Sequence, residues 1–557
     1  MVDATPMYLR LVLPLGFLEY VRAEKGKRRL SVNFYIAAMD KPKRYPLGIQ
    51  TFSTIREDDY HYVDKTARIH ELVSGSGYVF FLSRPRRFGK SLLCSTLGAL
   101  FEGRRELFKY LAIDSLTWEW KKHPVIRIDL NVGDYAKGVE ELYVVIDKML
   151  ESCANKYDVP FVGKTISDKF SRLIESLHNQ CGEKVAVVID EYDKPLLNTL
   201  DTKIVHEEIR NALKAFYGVL KSSDEHLKFV FLTGVTKFSK VSIFSDLNNL
   251  TDLSLDPRYA DICGITQEEL EENFKEEIDS IAGGEGGAYL AKLKRFYNGY
   301  RFSEKPLTVY NPFGLLHHFN SEGKFIPYWY ESGTPTFLIK LIKQQNINVL
   351  NLEQKVLSYD DFRKFDVENM DAVPVLYQSG YLTITGYNEK RGTYNLGYPN
   401  DEVRTSFASS LADLYIHIKN DEKTPLVLKL IDSLEAGEVD NFVEALRPFY
   451  NNIPYDEASK VESYYELIFL LTLRMLGIYC EAQVHTAIGR IDAVLKVDDF
   501  VYVVELKVNG TAEEALAQIN DKNYALSYEG QGKKIVKLGI EFDKEKRNIG
   551  RWVIGNV

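Results

Sequence analysis

Two groups of residues in this chain have the types and spacing that chemistry needs. The first is Arg86-Arg87-Phe88-Gly89-Lys90-Ser91, set between the apolar run Tyr78 to Leu82 and a helical pattern through Leu92, Leu93, Leu97 and Leu100. A loop of this kind turns backbone N–H groups toward a phosphate. Lys90 would reach the β/γ oxygens, Ser91 would ligate Mg²⁺, and Gly89 lets the backbone come close. The general motif G-x-x-x-x-G-K-[ST] would put its first glycine at Arg84, so the match is incomplete. Its partner lies downstream, where Val185 to Ile189 is an apolar strand that ends in Asp190-Glu191. Asp190 would hold the Mg²⁺ shell and Glu191 would polarise an attacking water, which makes ATP and Mg²⁺ the implied ligands.

The second group is Asp492 with Glu505 and Lys507. Alternation along the strand Phe500 to Val508 puts Glu505 and Lys507 on one face and turns Val504 and Leu506 into a core. Asp492 and Glu505 supply hard oxygen ligands for Mg²⁺ or Mn²⁺, and Lys507 could orient water or stabilise charge on a phosphodiester.

Strands alternating with helices must position the first group. Val125 to Leu130 reads as a strand, Leu142 to Ala154 and Ile166 to Leu177 as helices, Ile204 to Leu220 as another helix, and Lys228 to Thr236 as a strand whose polar end offers Thr233 as a sensor. This order implies a doubly wound, mostly parallel sheet with ligands at the strand C-terminal ends. From Ile265 onward the pattern changes to amphipathic helices joined by aromatic turns, Tyr297 to Phe302 and Tyr310 to Phe313. Adjacent His317 and His318 would point about 100° apart on a helix, a poor metal pair.

Tyr62-Val63-Asp64-Lys65-Thr66, then Ser83 to Ser91, then Asp190-Glu191-Tyr192-Asp193-Lys194-Pro195 resemble the bacterial AAA-ATPase-like family that carries a C-terminal PD-(D/E)XK nuclease-like domain. In that family Arg-Pro-Arg-Arg-Phe-Gly-Lys-Ser is itself the expected loop. The resemblance implies an α/β protein with a P-loop NTPase domain over 39–264, a helical lid and connector over 265–455, and a restriction-endonuclease-like α/β domain over 456–557. The resemblance also implies auxiliary candidates in Glu466, on the preceding apolar helix Tyr464 to Leu476, and in Gln518 and Tyr524 on the helix after the strand, while Ile491 stands where that fold usually has a proline before the first acid. The resemblance implies that relatives begin near the equivalent of Tyr45, so residues 1–38 read as translated upstream sequence ahead of Met39, with a genuine N-terminal arm as the alternative.

The 557 residues carry a formal charge of -9, which gives no global nucleic-acid footprint; any DNA contact must be local. No apolar run is long enough for a membrane span. Five scattered cysteines without a C-x-x-C pair indicate neither a disulfide framework nor a cysteine zinc site, which fits a reducing cytoplasm. An arginine acting in trans would require a homo-oligomer, and no arginine in the sequence declares itself as one. The leading expectation is an ATPase coupled to a metal-dependent DNA endo- or exonuclease; the alternative is a nucleotide-operated switch whose nuclease fold only grips nucleic acid.

Overall fold

Four strands buried along most of their length form the centre of the N-terminal region, which is what a sheet covered by helices on both faces demands of its sequence. They are β1 (Val79–Ser83), β2 (Val125–Asp129), β3 (Val185–Asp190) and β4 (Leu227–Gly234), with the short β5 (Thr251–Asp252) at one edge. All pairings are parallel in the order β2-β3-β4-β1-β5. The helix α1 (Lys90–Phe101) leaves β1 directly, and helices Val139–Tyr157, Ile166–Cys181 and Lys203–Ser222 complete the layers. Because β4 lies between β1 and β3, the loop after β1 and the acids after β3 open at the same end of the sheet.

This computed structural model describes residues 44–556 except 238–243, 245–246, 248, 333–337, 340, 343–344, 346, 348–351, 354, 364–370, 416–419, 452–462, 477–480, 488–489, 509, 523–524, 526–527, 529–531 and 544. Backbone alone is described at several element positions, among them 466, 481–487 and 490–492. The reading of residues 1–38 as an upstream extension therefore lies outside the described residues. Residues Tyr45–Val557 cluster as one unit.

The region expected to be a helical connector is not wholly helical. Helices Gln267–Asn273, Lys275–Ala282, Gly286–Tyr297 and Pro312–Asn320 agree with the sequence reading, the first opened by a reciprocal Thr266 and Glu269 cap. The same region also contains a three-stranded antiparallel sheet in the order β6-β8-β7, made of β6 (Val356–Ser358), β7 (Thr383–Asn388) and β8 (Thr393–Gly397). These strands are short, and Gly386 sits at a bulge, so their alternation is too brief and too polar to register in sequence. The short helix α2 (Tyr328–Glu331) and the long helix α3 (Asp401–Tyr415) flank this sheet in the chain.

Helix α4 (Ser463–Leu476) leads into a second sheet of order β13-β12-β11-β10-β9, built from β9 (Glu481–Ala487), β10 (Arg490–Lys496), β11 (Phe500–Lys507), β12 (Lys534–Asp543) and β13 (Asn548–Asn556). Only β11 and β12 run parallel, with α5 (Ala512–Asp521) as their crossover. Alternation divides β11 as its sequence requires. Tyr502, Val504 and Leu506 join the large core, while Val501 and Val503 pack with Ile519 of α5. Gly539 lets α5 sit directly on the sheet, because a Cβ there would lie 2.3 Å from Ala512 O and 2.8 Å from Leu516 N. Gly539→Ala should therefore destabilise the protein by about 1–3 kcal/mol through backbone overpacking. Urea unfolding checks this, and an unchanged midpoint would show that α5 does not depend on that close approach.

Candidate functional site

The loop between β1 and α1 and the acid turn after β3 carry left-handed backbone. Arg87 (φ 65°), Gly89 (φ 92°) and Glu191 (φ 51°) all adopt left-handed backbone, which costs a non-glycine residue about 1–3 kcal/mol and persists only where the surroundings impose it. A Cβ on Gly89 would point into open space, so glycine is needed there for its conformation and leaves the loop face clear for a ligand.

What imposes the shape lies under the loop. Phe88 is buried, with Tyr300 and Phe302 edge-on at 4.8 and 5.5 Å. Burying that ring contributes about 2–3 kcal/mol. Arg84 is also buried: its guanidinium donates to the carbonyls of Ser83, Ser254 and Tyr259 at 2.8, 2.9 and 3.0 Å and lies 4.2 Å from the centre of the Phe302 ring. Desolvation holds its pKa below the ordinary value. Arg84 is thus a strut joining β1 to the segment after β5, where the general motif would have a glycine. Arg86 and Arg87 remain exposed, and the Arg87 guanidinium lies 4.8 Å from the Phe313 ring centre.

Lys90 Nζ, 4% exposed, donates to Pro85 O at 3.3 Å and lies 3.4 Å from Glu191 Oε1. Burial works against its charge, but Glu191, Asp190 and Asp193 together raise its pKa above the usual lysine value. Burial first, and neighbouring Glu191 second, push the Asp190 carboxyl up to about 6; hydrogen bonding from Ser91 and the Lys90 charge oppose that rise. Asp190 Oδ1 also accepts from Glu191 N at 3.0 Å, holding the strained residue in place.

Lys90, Ser91 and Glu191 line a cleft of about 380 Å³ with Asp129, Asn131 and Lys194; Asp190 lines a second one of about 290 Å³, which shares Ser91 and Asp129 with the first. An apolar cavity of about 100 Å³ shares the walls of the first cleft at Gly89, Leu92, Pro312 and Leu316 and extends past Tyr62, Val63 and Ile265. Tyr62 thus lies beside the loop, and Asp64 accepts from Thr66 N at 2.8 Å at the start of the helix Thr66–Val73.

The sensor expected at Thr233 is corrected. Thr233 is fully buried and its hydroxyl donates to Leu82 O at 2.8 Å, so it fastens β4 to β1 and does not face the cleft. The site residues that sequence reasoning missed are Asp129 and Asp193. Asp129 ends β2 as the register partner of Asp190, a position readable from the polar end of its strand. Asp193 is buried and accepts from Val235 N, Thr236 N and Thr236 Oγ1, the last two at 2.6 Å, tying the acid loop to the exit of β4. Gly234 makes room, since a Cβ there would meet Asp193 Oδ1 at 2.2 Å.

On the C-terminal sheet, antiparallel register makes Asp492 the direct partner of Glu505 and His485 the partner of Asp492. Directly opposed positions in such a pair are about 4.5–5.5 Å apart at Cα and share a face. Glu505 is fully buried, Lys507 Nζ lies 3.4 Å from Glu505 Oε1, and the same ammonium donates to Gln518 Oε1 of α5. Gln518 thus lies in contact with Lys507. Glu466 is on α4, which packs on β9 and β10, but its side chain and that of Asp492 are not among those described, and Tyr524 lies outside the described residues. Among the described residues no three His, Cys, Asp or Glu side chains converge as a metal cluster, and no helix is long and apolar enough to cross a membrane.

Residues 46–244 match the family described as a predicted AAA-ATPase, and residues 460–552 match the PD-(D/E)XK nuclease superfamily. A protein of Azotobacter chroococcum mcd 1, described as an uncharacterized protein in the vnfD 5' region, is 37% identical over 527 residues, covering 92% of this chain and 99% of the relative.

The raised pKa of Asp190 has a thermodynamic consequence. Its stability contribution is fully present below the ordinary value of 3.8 and is lost as pH rises toward about 6. Asp190→Asn, which keeps the acceptor for Glu191 N, should melt above the parent at neutral pH, with the gap closing as pH falls below about 4. Melting curves across that range test it; a variant that melts lower at neutral pH would show that Asp190 is charged at no cost.

Proposed function

The chain belongs to the bacterial AAA-ATPase-like family that carries a C-terminal PD-(D/E)XK nuclease-superfamily domain, and on that premise we propose that it hydrolyses ATP and cuts DNA. The observation that carries the first half is the meeting of Lys90, Ser91, Asp190 and Glu191 at one end of a parallel sheet, where two clefts that share Ser91 and Asp129 open beside the loop. Backbone N–H groups at the start of α1 would take phosphate oxygens, with the Lys90 charge beside them. Ser91 and Asp190 would hold Mg²⁺, which neutralises charge on the transferring phosphoryl group. Lys90 is paired with Glu191, and phosphate oxygens would compete for the same ammonium. That competition leaves the Glu191 carboxylate to orient and deprotonate the attacking water.

The second half is supported by the register of Asp492 against Glu505 and by the contact of Lys507 with both Glu505 and Gln518. Asp492 and Glu505 would hold Mg²⁺ or Mn²⁺, which supplies an activated water for phosphodiester hydrolysis. Lys507, steadied by Gln518, would offset the charge that develops on the phosphate. DNA is the polymer this reading assigns, in the cytoplasm, with nucleotide turnover governing access. The full burial of Glu505 favours a second reading, in which ATP operates a switch and the nuclease fold grips nucleic acid without cutting it.

Lys90→Ala should remove ATP turnover and leave the fold intact, since it deletes the charge facing the phosphates. Glu505→Ala and Asp492→Ala should abolish Mg²⁺- or Mn²⁺-dependent nicking of plasmid DNA while ATP turnover stays within about twofold of the parent, because the two chemistries occupy different sheets. Parent-rate hydrolysis by folded Lys90→Ala protein would refute the phosphate-loop assignment. Cleavage that survives both acid substitutions would refute the metal site. A parent chain that turns over ATP but cuts no DNA form would select the switch.

A further inference from the structure

The phosphate loop is held from above its buried face by one side chain that arrives from far along the chain. Trp329, 4% exposed, donates its indole N–H to Arg86 O at 2.9 Å. Its ring packs 6.1 Å from that of Tyr300, which itself meets Phe88, and 5.4 Å from that of Tyr381. Gly380 lets the neighbouring turn close over the same place: it has φ +90°, and a Cβ there would lie 2.8 Å from Pro85 Cβ and 3.2 Å from Trp329 Cζ2. Trp329 sits in α2, a single helical turn that cannot fix its own orientation.

Glu402 on α3 supplies that orientation. Its Oε1 accepts from Trp329 N at 2.7 Å and from Tyr330 N at 3.4 Å, taking two of the donors that the start of a short helix leaves without intrahelical partners. The base of α3 is fixed in turn by a run of charges. Asp401 lies 2.9 Å from both Arg295 and Arg404, and Glu353 lies 3.3 Å from Arg404 and 2.6 Å from Arg474 of α4. Glu402 is fully buried, and among the described residues its Oε2 has no hydrogen-bond partner and no cation faces it at contact distance. Burial raises its pKa to about 8, outweighing the Trp329 and Tyr330 backbone donors, which favour the charged form. The titratable or charged groups around it are Glu331 on α2, Tyr297 and Tyr300 beside it, and Asp401 and Arg404 on its own helix.

We propose that Trp329 and Glu402 are positioning residues for nucleotide binding: Glu402 orients α2, and Trp329 fixes the Arg86 carbonyl and with it the left-handed turn that presents Lys90. This rests on the phosphate-loop reading above and adds to it a control outside the ATPase region. The two groups touch no substrate; they act through the backbone of the loop.

The test uses the full chain with Mg²⁺ and a fluorescent ATP analogue, followed by ATP turnover. Trp329→Phe keeps an aromatic ring in the pocket but removes the pyrrole half of the indole with its donor. It should weaken nucleotide affinity and raise KM by about three- to tenfold, the worth of one buried hydrogen bond, with kcat changed far less. Glu402→Gln keeps an acceptor for both backbone donors and cannot ionise. In the parent, affinity should fall as pH rises from about 7 to 9, because ionised Glu402 has no counter-charge in its pocket and withdraws from α2. Tyr297 and Tyr300 are pushed by burial well above that window. Glu402→Gln should bind as the parent does near neutrality, lose the pH dependence, and bind more tightly than the parent at the alkaline end. Parent affinity in Trp329→Phe, or a parent-like pH profile in Glu402→Gln, would overturn the proposal, as would a lowered melting temperature with nucleotide affinity unmoved. A parent chain that binds no nucleotide would instead overturn the ATP reading itself.

Discussion

Phe88 leaves the phosphate loop and enters a wall of rings made by Tyr300 and Phe302, while Arg84, one turn earlier, spends its guanidinium on three carbonyls and the face of Phe302. A loop that carries left-handed residues at Arg87 and Gly89 would relax if it were free in solvent. Burial of Phe88 outweighs that strain. The N-terminal sheet alone does not supply the burial; it comes from a segment that follows the sheet in sequence, so the loop and the connector form one packing unit. The aromatic turns Tyr297 to Phe302, which read from sequence as mere helix connections, are part of the site's foundation.

Electrostatics at the cleft follow from the same enclosure. Asp129, Asp190, Glu191 and Asp193 gather at the ends of neighbouring strands with Lys90 among them. In so dry a place the acids repel, and Asp190 retains its proton up to about pH 6. A divalent cation and an incoming phosphate would redistribute this charge, the first satisfying the acids and the second drawing Lys90 from Glu191. The arrangement stores unfavourable interactions in the folded chain where they can be relieved by ligands, a common relation between function and stability.

The C-terminal sheet solves a related problem differently. Register alone sets Asp492 across from Glu505, and α5, seated on Gly539, brings Gln518 to Lys507. The result is an acid buried beneath a helix, with its lysine held from two sides. The charge network that runs from the exposed Arg295 through Asp401, Arg404 and Glu353 to the buried Arg474 ties the connector to α4, which packs against this sheet, so neither half is an independent bead on a string.

The chain's order of residues determined a good deal by itself. Continuous apolar runs before Arg84 and Asp190 dictated buried parallel strands; Gly-Lys-Ser at a strand-to-helix turn marked the loop; and the alternation of Val504, Glu505, Leu506 and Lys507 divided one strand between a core and a polar face. These are local properties, set by periods of two and of 3.6 residues. Tertiary structure decided the rest. Thr233 and Asp193 stand near each other around β4, yet the first bonds inward to β1 and the second clamps the strand exit, a choice made by register and by the bare backbone of Gly234. Arg84, Trp329 and Glu402 reveal nothing in sequence, because their partners are carbonyls and amides that every residue carries, and only packing determines which of those lie within 3 Å.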